Sequence, residues 1–441
     1  MSEGTQKRSF LHKVLSSGEE GMRPGWMIGI FAVLHAVVTL YFIKLGMDAA
    51  LRILPMPSSD YLYYWNLASD YSLYHKGGII GFIYAPFKQA GLVPYHAALI
   101  VNSFFYMAAS ASLWLGTHRL KTPYYVLGQV LLTFASAVFG LWNSGYAGMV
   151  NADFPNVALI LIAVRFFFEY AAHADGPIFE MRHGRVYLAL GTLSLYLAVA
   201  LRVKTGLALG IIVGLLIVFY FKQLKRVYQL RVIVFAVIVA VGFAAGTELA
   251  LRYQSDAKTD IARQGRLQLY TGLLDTQTGS MAGRWTKSSY DKTLAELDKP
   301  FLEVLKEHLS VKSKSYLLQI IKDKWTAVLN YDEFSYRELI AFGVTYRTPT
   351  ADDYALAREF EPIEERTVND FKYAVYLMLL LPILFRKKYV AWLPFFIWGA
   401  FMLLHAVFEI QARYMVEPLM WSYVTSVGIM LGVPRKEKRH V

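Results

Sequence analysis

Ten long apolar stretches constrain this chain more than any other feature of its sequence. A helix needs about 20 mostly apolar residues to cross about 30 Å of hydrocarbon. We predict spans at 26–43, 95–115, 124–143, 156–172, 186–201, 205–221, 232–250, 371–385, 389–407 and 415–432. Hydrophobic residues make up 56% of the 441 residues and charged residues only 18%, against about 25% charged in ordinary globular chains. The sequence therefore predicts an all-α polytopic membrane protein and excludes a cytosolic enzyme, a disordered scaffold and a secreted disulfide-rich module.

Basic residues indicate the orientation of these spans. An even number of spans puts both termini on one side of the membrane. Basic residues flank the first and last spans and occur in every connection that the count assigns to that side: Lys7, Arg8, Lys13, Arg23, Arg119, Lys121, Arg182, Arg185, Lys222, Lys225, Arg226, Arg231, Arg386, Lys387, Lys388, Arg435, Lys436, Lys438 and Arg439. Since cytoplasmic loops carry the excess of Lys and Arg, we predict that both termini are cytoplasmic. The net charge of +12 is then mostly a topological signal, and nucleic acid is not an expected partner.

The predicted outer connections differ greatly in length. They are a first loop at 44–94, a short second loop at 144–155, a tight turn at 202–204 and a long loop at 251–370. The chain thus divides into a transmembrane module at 1–250, an extracytoplasmic loop domain at 251–370 and a C-terminal transmembrane module at 371–441.

Amphipathic helices are expected in two of these loops. Leucine, isoleucine, valine and phenylalanine recur at helical spacing within 301–321. The segment 61–74 looks similar, with Tyr61, Tyr63, Tyr64, Trp65, Leu67, Tyr71 and Tyr74. We expect juxtamembrane helices in the first loop and a mainly helical long loop, with both lying on the membrane surface.

Two aspartates stand at the predicted outer edge of the membrane. Asp60 enters the aromatic stretch 61–74, and Asp153 lies at the mouth of the fourth span. A carboxylate at the water interface can take a proton from a hydroxyl group as a general base, and two carboxylates together can hold Mg²⁺ or Mn²⁺. The alternative for each aspartate is a helix start, where Asp is a preferred capping residue. Both roles stay open for both residues, whereas Asp70 is interpreted as solvated.

The tight turn contains two cations, Arg202 and Lys204, followed by Thr205 and Gly206. This combination suits a phosphate, because Arg binds phosphate through two parallel hydrogen bonds and Lys binds it as a point charge. The alternative is a pair of side chains that reach out to lipid headgroups. The turn falls on the side where positive charge is disfavoured, which favours phosphate binding.

Two charge pairs have the spacing of one helical turn. Glu409 and Arg413 are four residues apart at the outer end of the ninth span, so a helix there would place them on one face, where they can pair. Arg165 and Glu169 have the same spacing inside the fourth span. Pairing there offsets the cost of a charge in the bilayer, so we interpret that second pair as structural.

Several kinds of chemistry have no support in the sequence. The chain has no cysteine, which excludes disulfides and thiolate sites. No phosphate-binding loop or dinucleotide glycine pattern occurs in its required context, so no nucleotide cofactor is expected. An enzyme working on the outer face, where nucleotide sugars are absent, must use a lipid-linked donor.

These features together resemble the C-type (GT-C) membrane glycosyltransferases, which use polyprenyl-phosphate sugars and include the protein mannosyltransferases and the aminoarabinose transferase of lipid A. The resemblance lies in one acidic residue in each of the first two outer loops, a lysine-threonine-glycine turn and a glutamate-to-arginine-tyrosine-proline stretch. The residues that carry it are Asp60, Asp153, Lys204, Thr205, Gly206, Glu409, Arg413, Tyr414 and Pro418. Many members have a second acidic residue where this chain has Tyr61.

The resemblance implies an inverting transferase in a bacterial cytoplasmic (inner) membrane, with its active site on the extracytoplasmic face. The donor would be a monosaccharide on polyprenyl (in bacteria, undecaprenyl) phosphate. The acceptor would be a glycan, lipid or protein of the cell envelope. Asp60 would act as the catalytic base, and Asp153 would orient the acceptor or share a divalent cation with Asp60.

The same resemblance assigns the remaining candidate residues. Arg202, Lys204 and Arg413 would neutralise the departing lipid phosphate, and Glu409 would position Arg413. The supporting tyrosines Tyr63, Tyr64 and Tyr414 would belong to the site, with the stretch 61–74 lining the entrance for sugar and lipid.

Two other functions share parts of this pattern. A polysaccharide polymerase or ligase also has many spans and basic outer residues, but it consumes a pyrophosphate-linked oligosaccharide. A transporter or flippase for lipid-linked sugars is the second alternative. The missing repeat symmetry and the polar residues at the outer edge rather than the midplane disfavour the transporter.

Overall fold

The computed structural model describes residues 25–56, 59–70, 79–115, 122–172, 182–220, 234, 237, 265–329, 335–341, 350–385, 389–410 and 412–432. Every regular element of two or more residues within these ranges is a helix, and they contain no β-strand. The predicted all-α class is therefore confirmed.

The α-helices are numbered here in chain order. They are α1 Gly25–Ile53, α2 Ser59–Asp70, α3 Ile79–Gln89, α4 Pro94–Leu115, α5 Thr122–Tyr146, α6 Asp153–Ala172, α7 Arg182–Leu201, α8 Val203–Tyr220, α9 Lys287–Ala295, α10 Phe301–Ser310, α11 Lys314–Leu329, α12 Ser335–Ala341, α13 Ala355–Phe385, α14 Leu393–Val407 and α15 Val416–Gly432. A π-helical turn occupies Tyr270–Leu274, and short 3₁₀ turns occupy Asp352–Tyr354, Tyr389–Trp392 and Ala412–Met415.

Seven helices in the described part of the chain are long and apolar enough to cross a membrane. They span Gly25–Ile53, Pro94–Leu115, Tyr124–Tyr146, Asp153–Ala171, Gly184–Leu201, Ala355–Leu384 and Val390–Val407. Val203–Phe219 is apolar but shorter, and α15 has 17 residues. The predicted span at 232–250 falls outside the described residues except for two positions. The structure is thus a helical membrane protein with seven candidate spans, whereas the sequence predicted about ten.

Two loop boundaries predicted from hydropathy lie inside continuous helices. Helix α1 runs on to Ile53, well into the predicted first outer loop, and α13 begins at Ala355, before the predicted end of the long loop. Hydropathy marks where a helix leaves hydrocarbon, and polar residues alone do not end a helix. Both helices therefore carry their polar ends beyond the apolar segment.

The second outer loop is packed closely against α1. A Cβ on Gly46 would lie 2.6 Å from the Cβ of Ala147, and one on Gly148 would lie 2.7 Å from that of Ala50. Such distances require glycine, which lets helices and loops approach closely in membrane bundles. This contact places residues 147–152 over the end of the bundle, beside the start of α6.

Several polar side chains inside the bundle pair with one another. Arg165 contacts Glu169 at 2.5 Å within α6, which confirms the predicted structural pair. The Oγ1 of Thr39 donates to Ser110 at 2.7 Å, and Ser136 also donates to Ser110 at 2.9 Å. These bonds offset the cost of placing polar groups in an apolar interior.

Helices form in both loops where the sequence predicted them. Helices α2 and α3 pack as a hairpin, in which Lys88 Nζ donates to the Trp65 carbonyl at 2.9 Å. In the long loop, α10 exposes 75% of Leu302 and α11 exposes 67% of Leu318. The indole N–H of Trp325 in α11 donates to the Met402 carbonyl of the candidate span α14 at 2.9 Å. Contact of α10 and α11 with lipid stays a prediction.

Candidate functional site

Charged and polar side chains from four separate segments meet at one end of the bundle, the predicted outer end. They come from the start of α6, the turn between α7 and α8, the middle of α11 and the stretch 405–417. We call this set the mouth cluster; its members are Asp153, Asn156, Arg202, Lys204, Thr205, Lys324, His405, Glu409, Tyr414 and Glu417.

Asp153 and Arg202 form an ion pair in the mouth cluster. Helix α7 ends at Leu201 and α8 begins at Val203, so the single residue between them is Arg202, as the predicted tight turn requires. The side-chain cap of α6 comes from Asn151, whose Oδ1 accepts from the Phe154 N–H at 2.9 Å. Asn151 therefore caps α6, and the Asp153 carboxylate contacts the guanidinium of Arg202.

Both cations of the turn lie over the aromatic ring of Tyr414. The Nζ of Lys204 lies 3.6 Å from the ring centroid and the Cζ of Arg202 lies 5.2 Å from it. The His405 ring stacks parallel to Tyr414 with centroids 5.9 Å apart. A cation over an aromatic face is attracted by the ring quadrupole, and more so when desolvated. Three residues that the sequence proposed for one site, Arg202, Lys204 and Tyr414, are thus brought together.

Glu417 is a member of the cluster to which the sequence assigned no role. Its Oε1 accepts from the Thr205 hydroxyl at 2.7 Å, and that hydroxyl also lies 3.3 Å from Asn156 Oδ1. Glu417 stands in the first turn of α15, at the start of an apolar stretch. A carboxylate at the start of an apolar stretch costs free energy in a membrane. An acidic residue in that position is therefore the sequence signal that could have identified Glu417.

Glu409 and Arg413 do not share a helical face, so that expected geometry is wrong. Helix α14 ends at Val407, and a 3₁₀ turn at Ala412–Met415 follows. The Glu409 carboxylate accepts from the Gln268 side-chain amide, and its backbone N–H donates to the Gln268 carbonyl at 3.0 Å. The side chain of Arg413 lies outside the described residues. Its role therefore stays a prediction.

Lys324 is a buried lysine at the centre of this packing. Its Nζ donates to the carbonyl oxygens of Gly272 at 2.7 Å, Phe408 at 2.8 Å and Ala406 at 3.2 Å. Burial and the positive charge of Lys204 lower the pKa of Lys324 to about 7, against an opposing effect of Glu409. Three carbonyl acceptors match the three donors of an ammonium group. Lys324 thus fixes the segment after α14 to the long loop.

The sequence did not single out Lys324, although a signal was present. Lys324 follows Ile320 by four residues and precedes Val328 by four, so it lies on the apolar face of α11. All three side chains are buried. A lysine in an apolar stripe is the pattern that could have identified it.

We expect replacement of Lys324 by methionine to destabilise the protein increasingly as the pH rises from 7 to 10. Between pH 7 and the ordinary lysine pKa of 10.5, the unfolded chain holds a proton that the native Lys324 releases, so wild-type stability rises with pH. The methionine variant lacks this gain and the hydrogen bonds that the lysine nitrogen donates. Thermal unfolding of both proteins in detergent measures the difference. Lys322→Met, an exposed lysine of the same helix, is the control, and a pH-independent difference would contradict the prediction.

The first outer loop places Asp60 in the first turn of α2, since that helix begins at Ser59. A carboxylate is favoured there by the helix dipole, but the Asp60 side chain lies outside the described residues. Tyr63 is half-buried, whereas Tyr64 is only 2% exposed and packs in the core. The burial of Tyr64 does not fit a lining position at an open entrance.

A series of contacts nonetheless connects helix α2 to the mouth cluster. The Trp65 ring contacts the Tyr84 ring at 6.4 Å, and the Tyr84 hydroxyl lies beside the backbone of Asn151. Asn151 caps the helix that begins with Asp153. A short chain of contacts therefore joins the two regions in which the sequence placed its candidate aspartates.

A divalent cation shared by Asp60 and Asp153 stays a prediction, because the Asp60 side chain lies outside the described residues. The described residues contain no group of three or more His, Asp or Glu side chains that could hold a metal ion. The Asp153 carboxylate already contacts the Arg202 guanidinium, so a metal there would have to compete with a fixed positive charge. We therefore assign no step to a metal.

No protein family model matches this chain, and neither does any curated protein or any solved structure. A function for this chain is therefore inferred from the residues of the mouth cluster and their geometry.

Proposed function

We propose that this protein is an inverting membrane glycosyltransferase that moves a monosaccharide from polyprenyl phosphate to a glycan, lipid or protein acceptor on the extracytoplasmic face. The observation that carries the proposal is the convergence of Arg202 and Lys204 on the Tyr414 ring, beside Asp153. Two cations concentrated at one end of an apolar bundle suit the phosphate of a lipid whose tail stays in the membrane.

In this reaction Asp60 is the general base. Its carboxylate takes the proton of the acceptor hydroxyl, and the acceptor oxygen forms a bond to the anomeric carbon of the sugar. The bond between that carbon and the phosphate oxygen breaks on the opposite face, and polyprenyl phosphate leaves with the electron pair. One displacement inverts the anomeric configuration, and the proton ends on Asp60.

The mouth cluster stabilises the departing phosphate. Negative charge grows on the phosphate oxygens as the bond breaks, and positive groups already in place stabilise it without reorganisation. Asp153 holds Arg202 in place and Tyr414 holds Lys204. Arg413, next to Tyr414 in the chain, would contribute a third cation. Asp153 then acts by orienting Arg202, which leaves acceptor binding as its second proposed role.

The test is turnover of purified protein with a panel of polyprenyl-phosphate monosaccharides. We expect release of free polyprenyl phosphate with at least one donor, and we expect release to continue in EDTA because Asp153 is engaged by Arg202. A panel that gave neither release nor donor binding would contradict the proposal. Pyrophosphate-linked oligosaccharides would then test the polymerase or ligase alternative, and counterflow in vesicles would test the transporter.

A further inference from the structure

Glu338 on α12 is a buried carboxylate that two tyrosines reach from different helices. The Tyr61 hydroxyl of α2 donates to Glu338 Oε2 at 2.7 Å, and the Tyr146 hydroxyl at the end of α5 donates to the same oxygen at 2.6 Å. The Glu338 side chain and both tyrosines are buried. Hydrogen bonds to an ionised carboxylate are shorter and stronger than those between neutral groups.

Helix α12 is itself fixed to the bundle. Glu364 of α13 accepts from the Ser335 N–H at 2.9 Å, from the Ser335 hydroxyl at 2.6 Å and from the Tyr336 N–H at 3.0 Å. The Tyr336 hydroxyl and the Ser144 hydroxyl of α5 lie 2.7 Å apart. A Cβ on Gly145 would lie 2.1 Å from the Ser335 hydroxyl oxygen, so α12 lies directly on the end of α5.

The hydrogen bond from Tyr61 is a contact of the first turn of α2 with the rest of the bundle. The later residues of α2 are held by α3, through the bond from Lys88 to the Trp65 carbonyl and the close approach of Gly81 to the Leu67 carbonyl. Tyr61 stands at the other end of α2, directly after Asp60. Its hydrogen bond to Glu338 connects that end to a helix 277 residues later in the chain.

We propose that Glu338 is a positioning residue that fixes the place of Asp60 in the chain's outer region by anchoring the first turn of α2 through Tyr61. This inference rests on the proposed function for the role of Asp60. The effect of the hydrogen bond between Tyr61 and Glu338 on α2 can be measured without any substrate. Loss of the anchor frees the first turn while the α2–α3 hairpin and the bundle stay in place.

The chain offers a matched pair of variants for the test. Tyr61→Phe and Tyr146→Phe remove the same hydroxyl from the same carboxylate oxygen, but only Tyr61 lies on α2. The natural chain has no cysteine, so a single Tyr64→Cys on the buried face of α2, one turn from Tyr61, reports exposure of the start of that helix by its rate of maleimide labelling. We expect labelling to be about tenfold faster with Tyr61→Phe and to change less than about twofold with Tyr146→Phe.

The second readout is transfer kinetics. We expect Tyr61→Phe and Glu338→Leu to lower kcat with the KM for the lipid-linked donor unchanged, since the donor phosphate is bound elsewhere. Glu338→Gln keeps an acceptor oxygen and should recover part of kcat. Labelling that rises equally in both tyrosine variants, or in neither, overturns the positioning role. Faster labelling in Tyr61→Phe alone, with no transfer by wild type on any donor, confirms the anchor and refutes the transferase.

Discussion

Replacement of Asp60 by asparagine should lower the rate of sugar transfer by about 10²–10⁴-fold, the range that general base catalysis contributes. Asparagine has nearly the same shape as aspartate but cannot take up the acceptor proton. The donor phosphate is bound by the mouth cluster in our proposal, so donor affinity and expression should stay close to wild type. Release of polyprenyl phosphate at saturating donor measures the rate, and a binding titration with the intact donor measures the affinity.

Asp70→Asn is the matched control for this experiment. Asp70 lies at the end of the same helix α2, and the same change is made to its charge and volume. We expect Asp70→Asn to transfer sugar at the wild-type rate. Near-normal transfer by Asp60→Asn, or an equal loss in Asp70→Asn, would remove Asp60 as the base.

Replacement of Arg202 by methionine should destabilise the protein by about 3 kcal/mol, because loss of one partner leaves the other charge of a buried pair uncompensated. The Asp153 and Arg202 side chains are 15% and 14% exposed. We therefore expect a loss of stability at the lower end of the range for broken buried ion pairs. The same variant should bind the lipid-linked donor more weakly. Thermal unfolding and donor titration in detergent measure the two effects separately.

A second substitution separates the structural effect from the functional one. Asp153→Asn combined with Arg202→Met removes both charges, so stability should largely recover while donor binding stays weak. Arg165→Met is the control, since it breaks the similar pair with Glu169 inside α6, outside the mouth cluster. We expect that control to lower stability without a specific loss of donor affinity. Wild-type donor affinity in the double variant would show that Arg202 is only structural.

Local patterns in the sequence predicted the features that depend on neighbouring residues. Apolar length predicted the membrane helices, and helical spacing predicted the helices of the long loop and the pair between Arg165 and Glu169. Each depends on residues within a few turns of one another, where the geometry of a helix alone determines which side chains meet. The helical face that Glu409 and Arg413 were expected to share failed on the same assumption, because α14 ends at Val407 without a glycine or proline to mark its end.

The sequence by itself determined that this chain is a helical membrane protein with charged residues at the edges of its spans. Only the tertiary structure decided which of those residues meet. Tyr61 and Glu338 are 277 positions apart and Thr205 and Glu417 are 212 apart, and no local spacing relates them. Buried polar groups must find hydrogen-bond partners wherever packing brings them. Their partners are therefore chosen by how the helices pack, which depends on side-chain shape across the whole bundle.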